Sequence, residues 1–233
     1  EEESNRANRT SPSQRVLVIA PQPFFEWRGS PIRVSFLLRA LAESGFDVDL
    51  LCMPVGAPFT CPGVTVLRPP NVFGIKSMPI GPSLRKALFD LLLFMQTLFL
   101  AATRRYSAIH GIEDAGIIAA LIGRIFSIPV VYEKHSDLDS YRGGLLRNAI
   151  LRVYSVVERW TISLANAIIA TGPGLAQQVK QSAPGANVHH IFDIPSSVKG
   201  ADAERTSAVR GHLKKSPDEI LVTYVGSFAV YQG

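Results

Sequence analysis

Four stretches place side chains able to do chemistry directly behind short apolar runs. The densest is Tyr132-Glu133-Lys134-His135-Ser136-Asp137, which follows Val130 and Val131. A histidine among carboxylates and hydroxyls has the right types to take a proton from a substrate hydroxyl, or to orient one. The same composition also fits a solvated loop with an inert histidine. A second stretch, His110-Gly111-Ile112-Glu113-Asp114, offers a histidine and two carboxylates to a polar ligand. Asp114 fits equally well as a plain helix N-cap. The third is Arg28-Gly29-Ser30, just before Pro31. Serine followed by proline reads as a helix start, and backbone N–H groups at such a terminus favour an anion such as a diphosphate. The spacing is not G-x-G-x-x-G, so the dinucleotide fingerprint is absent, and an ordinary strand-to-helix turn remains open. The fourth, Thr171-Gly172-Pro173-Gly174, is either a tight turn or a second helix N-terminus facing a cleft.

These stretches need a scaffold that brings them to one edge. Arg15–Ala20 is a fully apolar run that reads as a buried parallel strand. A helix is expected over residues 31–44, ended by Gly45, then strands over 46–52 and 64–67. Further helices are expected over 83–105, 114–127, 145–164 and 173–181. Strands are expected over 107–110, 129–133, 167–170 and 188–191. Strands alternating with helices imply an α/β fold, a Rossmann-like doubly wound parallel sheet. In such sheets ligands bind beyond the carboxyl ends of the strands, where all four stretches lie.

Residues 1–14 are polar and lack an apolar period, so a disordered tail is expected there, not a signal peptide. Residues 15–195 form the Rossmann-like domain. Residues 196–219 turn polar and read as a linker with one short helix near 201–214. Ile220–Val225 is again a strand, taken as the start of a second domain that breaks off at Gly233.

The formal net charge of +5 is modest, with no dense basic block and no aromatic–basic interleaving, which disfavours nucleic acid. Cys52 and Cys61, the only cysteines, are expected to be unbonded thiols in a reducing compartment and do not match a zinc site. The apolar helix over residues 84–105 carries Asp90, Gln96 and Thr97, which argue against a membrane span. It is either a core helix over the sheet or one that also dips into a membrane surface, with basic residues at both ends.

Taken in order, several segments resemble the N-terminal half of GT-B glycosyltransferases, in particular the retaining family 4 group. They are Arg15–Ala20, the loop ending Arg28-Gly29-Ser30, residues 31–48, Tyr106–His110, Val130–Asp137, Ala165–Gly172 and Tyr224-Val225-Gly226-Ser227-Phe228. The resemblance implies a two-domain enzyme. This chain would bind the acceptor, and a C-terminal domain the nucleotide-diphosphate sugar. By position Gly29, with Arg28 and Ser30, matches the loop that approaches the donor diphosphate. His135 matches the histidine near the transferred sugar, and Gly226 and Ser227 match the start of the donor site. His110, Glu113, Glu133, Asp137 and Thr171 fall on the acceptor side. No metal or cofactor is implied beyond the nucleotide sugar as substrate. The implied acceptor is a sugar, a lipid-linked sugar or a small molecule, and the implied location is cytoplasmic, with contact at the inner membrane face open.

Two features depart from the pattern. The usual pair of glycines in the first loop is Gly29-Ser30 here, and the basic and acidic residues that hold the donor would lie past Gly233. Transfer by these residues alone is therefore not expected. A non-catalytic binding module, or another GT-B enzyme such as a sugar epimerase, is the alternative.

Overall fold

The computed structural model describes residues 14–26, 28–71, 74–76, 84–137, 145–192, 202–213, 219–220 and 222. The chain divides into two compact units, Glu1–Asp193 and Ile194–Gly233.

The first unit runs β1 (Arg15–Ala20), α1 (Gly29–Glu43), β2 (Asp47–Cys52), β3 (Val64–Leu67), α2 (Leu84–Thr103), β4 (Ala108–Ile112), α3 (Ala115–Phe126), β5 (Val130–Lys134), α4 (Leu145–Leu164), β6 (Ala167–Ala170), α5 (Pro173–Ser182) and β7 (Val188–His190). The strands form one sheet in the order β3-β2-β1-β4-β5-β6-β7. Every neighbouring pair is parallel. The sheet is the doubly wound one expected from the alternation of apolar runs and helical stretches. The chain reverses its direction of growth between β1 and β4, which opens a crevice at their carboxyl ends.

Alternation along the strands divides the core in two. Leu17 and Ile19 pack with Phe89 and Leu93 of α2 and Ile118 of α3, while Val16 and Val18 pack with Val34 and Leu38 of α1. α1 therefore covers one face of the sheet, and α2 and α3 cover the other. Two glycines let α3 lie close to the strands. A Cβ on Gly116 would run into the Tyr132 ring and come within 2.9 Å of Thr161 Cγ2. One on Gly123 would strike the Val130 side chain and lie 2.8 Å from the Ile128 carbonyl oxygen.

Polar staples close the edges. The Arg68 guanidinium donates to the carbonyls of Met53, Val55 and Ala57 at 2.8–2.9 Å and also to that of Phe24, tying the loops after β1 and β2 together. The buried Asp49 carboxylate accepts from Arg104 at 2.6 Å and Tyr106 at 2.7 Å. Cys52 and Cys61 are unbonded thiols, and burial raises the Cys52 thiol to about 11.

In the second unit α6 (Ala203–Leu213) starts on Asp202, whose carboxylate accepts from the backbone of Glu204 and Arg205. The strand expected over 220–225 falls mostly on residues outside the described set, as do the tail over residues 1–13 and residues 196–201 and 214–218 of the linker.

Two local expectations are corrected. The fourth strand runs to Ile112, so His110 lies inside the sheet and not beyond its end. α1 begins at Gly29 on Arg28, with no side-chain cap, because the Ser30 hydroxyl is engaged elsewhere.

Candidate functional site

Glu133 is the hub of the carboxyl-end crevice. Strand alternation turns it toward α1, beside Ile112 of β4 in register, while Lys134 turns to the opposite face. Its side chain is only 2% exposed and meets three nitrogen-bearing groups. Arg33 of α1 donates from Nε to Oε1 at 2.6 Å, and His135 Nε2 lies 2.9 Å from the same oxygen. His110 Nε2 lies 2.8 Å from Oε2, a close polar contact whose geometry falls outside that of a hydrogen bond. Burial pushes the Glu133 carboxyl up, but the contacts from His110 and His135 outweigh it and hold the group well below the usual carboxylate range.

This hub fixes the tautomer of His135. Nε2 faces a carboxylate, which only accepts, so in the neutral ring the proton sits on Nε2. Nδ1 is then the basic nitrogen, and the Ser30 hydroxyl donates to it at 2.6 Å. Ser30 lies in the first turn of α1, next to Gly29, where a Cβ would meet no atom within 4 Å. Among the described residues nothing approaches that point, so the space above the helix N-terminus is open with respect to them. Arg28, the N-cap, extends into solvent and pairs with Glu26 at 2.9 Å.

A cavity of about 200 Å³ lies against the other side of His135. Glu113, Lys134, Ser136, Asp90, Tyr154 and Glu158 contribute to its wall. Two charge groups frame it. Lys86 bridges Asp90 at 2.7 Å and Asp114 at 2.8 Å; burial works against its ammonium, yet the two carboxylates more than offset this and raise its value. Opposite, Glu158 accepts from Lys134 and from the Tyr132 hydroxyl. Asp114 sits at the head of α3, but its carboxylate is turned to Lys86 and makes no side-chain cap bond.

Glu113 has the least support of these carboxylates. Its backbone sits in the left-handed region at φ 48°, held by its N–H on the Glu133 carbonyl at 2.8 Å. Its side chain accepts a long hydrogen bond from the Ser136 hydroxyl at 3.4 Å. Burial raises its carboxyl above the ordinary value, opposed by the nearby His135 and reinforced by Asp114. Such a group destabilises the fold when ionised, and the penalty disappears once the pH drops below the unfolded carboxylate value of about 4.3. Glu113→Gln is therefore expected to raise the melting temperature by roughly 2–4 °C at about pH 8 and to have no effect near pH 4. Thermal melts of both proteins across that range check it; an equal shift at both ends would remove the ionisation argument.

The structure thus brings together Ser30, His110, Glu133 and His135, with Glu113 one step away through Ser136. Asp137 lies toward α5, where Gln178 donates to it at 2.9 Å. Thr171 follows β6, its backbone N–H on the Lys134 carbonyl at 3.2 Å. Gly226 and Ser227 lie outside the described residues. Arg33 escaped the sequence reading. It clips Glu133 to the chain after β7, donating also to the carbonyls of Ile191 and Phe192 at 3.3 Å. Among the described residues no group of three or more His, Cys, Asp or Glu side chains is arranged to hold a metal ion.

A seven-stranded parallel sheet with its polar hub at the β1/β4 reversal is the Rossmann-like half of a GT-B glycosyltransferase. Residues 28–192 match the glycosyl transferase 4-like domain, and the chain belongs to that family. Among solved structures, sucrose-phosphate synthase from Thermosynechococcus elongatus superposes with a TM-score of 0.63 at 17% identity, over 88% of this chain and 54% of that one. Arabidopsis thaliana UGT89C1, solved with UDP, gives 0.57 at 15% identity, over 86% of this chain and 57% of that one. Anabaena Alr3699/HepE, solved with UDP and glucose, gives 0.51 at 16% identity, over 86% and 50%. The chain spans about half the length of these three structures. No curated protein sequence matches it significantly.

Proposed function

We propose that the chain is the acceptor-side half of a retaining hexosyltransferase that uses a nucleotide-diphosphate sugar. The observation that carries this reading is the meeting of the open α1 N-terminus at Gly29 with the Ser30–His135–Glu133 relay and the cavity behind it. The UDP complexes of UGT89C1 and HepE, and the glucose in the latter, support the substrate class.

In this reading the donor diphosphate approaches the backbone N–H groups at Gly29 and Ser30, where the helix dipole and Arg28 offset the negative charge that grows as the bond to the sugar breaks. Glu133 holds His135 in the tautomer that leaves Nδ1 basic. A hydroxyl of the reacting sugars takes the place of Ser30 there and is oriented by that nitrogen. The cavity, walled by carboxylates and hydroxyls, receives a polyhydroxylated acceptor, since such groups pair well with vicinal hydroxyls. Gly226 and Ser227 open the donor side. The reading assigns stabilisation of the leaving group to protein groups and calls for no metal. Unbonded Cys52 and Cys61 fit a cytoplasmic location.

The test is transfer of radiolabelled sugar from a panel of nucleotide-diphosphate sugars to hydroxyl acceptors. The protein is assayed joined to a donor-binding half, and also as the 233 residues alone. Acceptor-dependent release of nucleoside diphosphate is expected from the first and not from the second. If no donor is bound or consumed by the joined protein, the reading fails.

A further inference from the structure

The outer face of the helical layer is of the wrong polarity for water. Along α2 the exposed positions between Arg85 and Thr103, which are themselves exposed, are Ala87, Leu91, Met95, Phe99 and Ala102, an apolar stripe at helical spacing through four turns. Leu91 is 56% exposed, Met95 53% and Phe99 63%. α3 packs between α2 and α4 and adds exposed Leu121 and Ile125. α4 adds Val153, Val156, Trp160 and Leu164. A cluster of large exposed apolar side chains of this kind marks an interaction surface more often than scattered single ones do.

The charges around it are mostly of one sign, the exception being the exposed Asp114 at the head of α3, which is bridged to Lys86. Among the described residues of these three helices, the exposed ionisable side chains are Arg85, Arg124, Arg152 and Arg159, with Arg105 just past the end of α2. The carboxylates of the same helices, Asp90 and Glu158, turn inward to Lys86 and Lys134.

We propose that this face, centred on Leu91, Met95, Phe99 and Trp160 and ringed by arginines, seats on an anionic lipid bilayer. Apolar side chains with a tryptophan among them suit the boundary between headgroups and acyl chains, and arginines beside them meet lipid phosphates. α2 is long and apolar enough to cross a membrane, but its inner residues Phe89, Leu93 and Leu100 belong to the sheet's core, so it lies along the bilayer instead of spanning it. A second copy of the chain fits less well. A two-fold dimer sets a patch against itself, which would bring arginines against arginines, with the one exposed carboxylate described nearby, Asp114, already bridged to Lys86.

Flotation with vesicles decides between these occupants. The protein is mixed with vesicles of phosphatidylcholine alone, or of phosphatidylcholine with phosphatidylglycerol, at low and high salt, and its mass is followed by light scattering. Recovery with the anionic vesicles is expected, weaker at high salt and with the neutral ones. Phe99→Glu with Trp160→Glu, and separately Arg152→Glu with Arg159→Glu, are expected to lower binding by about tenfold or more. Unchanged circular dichroism and melting would show that these exposed changes leave the fold intact. Equal recovery with and without anionic lipid overturns the proposal, as does binding that neither double variant weakens. A dimer that Phe99→Glu separates, in a protein that ignores vesicles, assigns the face to a second copy. The assay reads no sugar transfer, so its failure and failure of the transferase reading are distinguishable.

Discussion

His135→Ala is expected to lower turnover of the protein joined to its donor half by about 10²–10⁴-fold while the fold survives. The imidazole is the one group of the crevice whose two nitrogens face different tasks. Nε2 is committed to Glu133, and Nδ1 points to the Ser30 hydroxyl beside the open helix terminus. Removing the ring takes away the only basic nitrogen at that point, yet Glu133 keeps Arg33 and His110, so its charge stays compensated. Steady-state kinetics should therefore show the loss in kcat more than in KM, with a melting temperature changed by only a few degrees. Added imidazole, which fits the space vacated, should restore part of the rate. Turnover at the wild-type level would remove His135 from the reaction.

Glu133→Leu is expected to do the opposite and fail in stability first, by roughly 3–5 kcal/mol. Leucine has a similar volume, so packing is nearly kept, but Arg33 and two histidines lose the charge they surround in a site that is almost dry. For a domain of this size that corresponds to a drop of roughly 10 °C or more in melting temperature. Glu133→Gln retains an acceptor oxygen and should lose less. The gap between wild type and Glu133→Gln also depends on pH with a defined sign. The carboxyl is depressed in the folded protein, so its contribution is full above the unfolded value of about 4.3 and declines as the pH falls further. A gap that widened on acidification would refute the charge account.

Much of the fold was legible because a parallel sheet is buried on both faces. Its strands appear as short unbroken apolar runs, and β1, β3, β6 and α4 lie on the residues expected. The errors arise where a local signal competed with a distant partner. Ser30 has every local mark of an N-cap, but its hydroxyl is drawn to a histidine 105 positions away. The strand expected to stop at His110 runs on through Gly111, where a Cβ would come within 2.7 Å of the Ala115 carbonyl oxygen. The early stop placed His110 at the rim of the sheet instead of inside it. Arg33 was passed over because an arginine on a surface helix is ordinarily solvated, and its carboxylate lies 100 positions on. Ser30, Glu133 and His135 do meet in space, since residues at the carboxyl ends of strands in such a sheet must gather at one edge.

The glycine contacts of α3 bear on how relatives of this protein would diversify. Gly111, Gly116 and Gly123 leave no slack between that helix and β4 and β5, so this wall of the cavity tolerates neither a larger side chain nor a shifted helix. Under the proposed role of the cavity, selection for a new acceptor would work through α2 and α4, at positions such as Asp90, Tyr154 and Glu158, while α3 stayed constant. A library built to alter acceptor choice would begin at those three residues and leave the glycines alone.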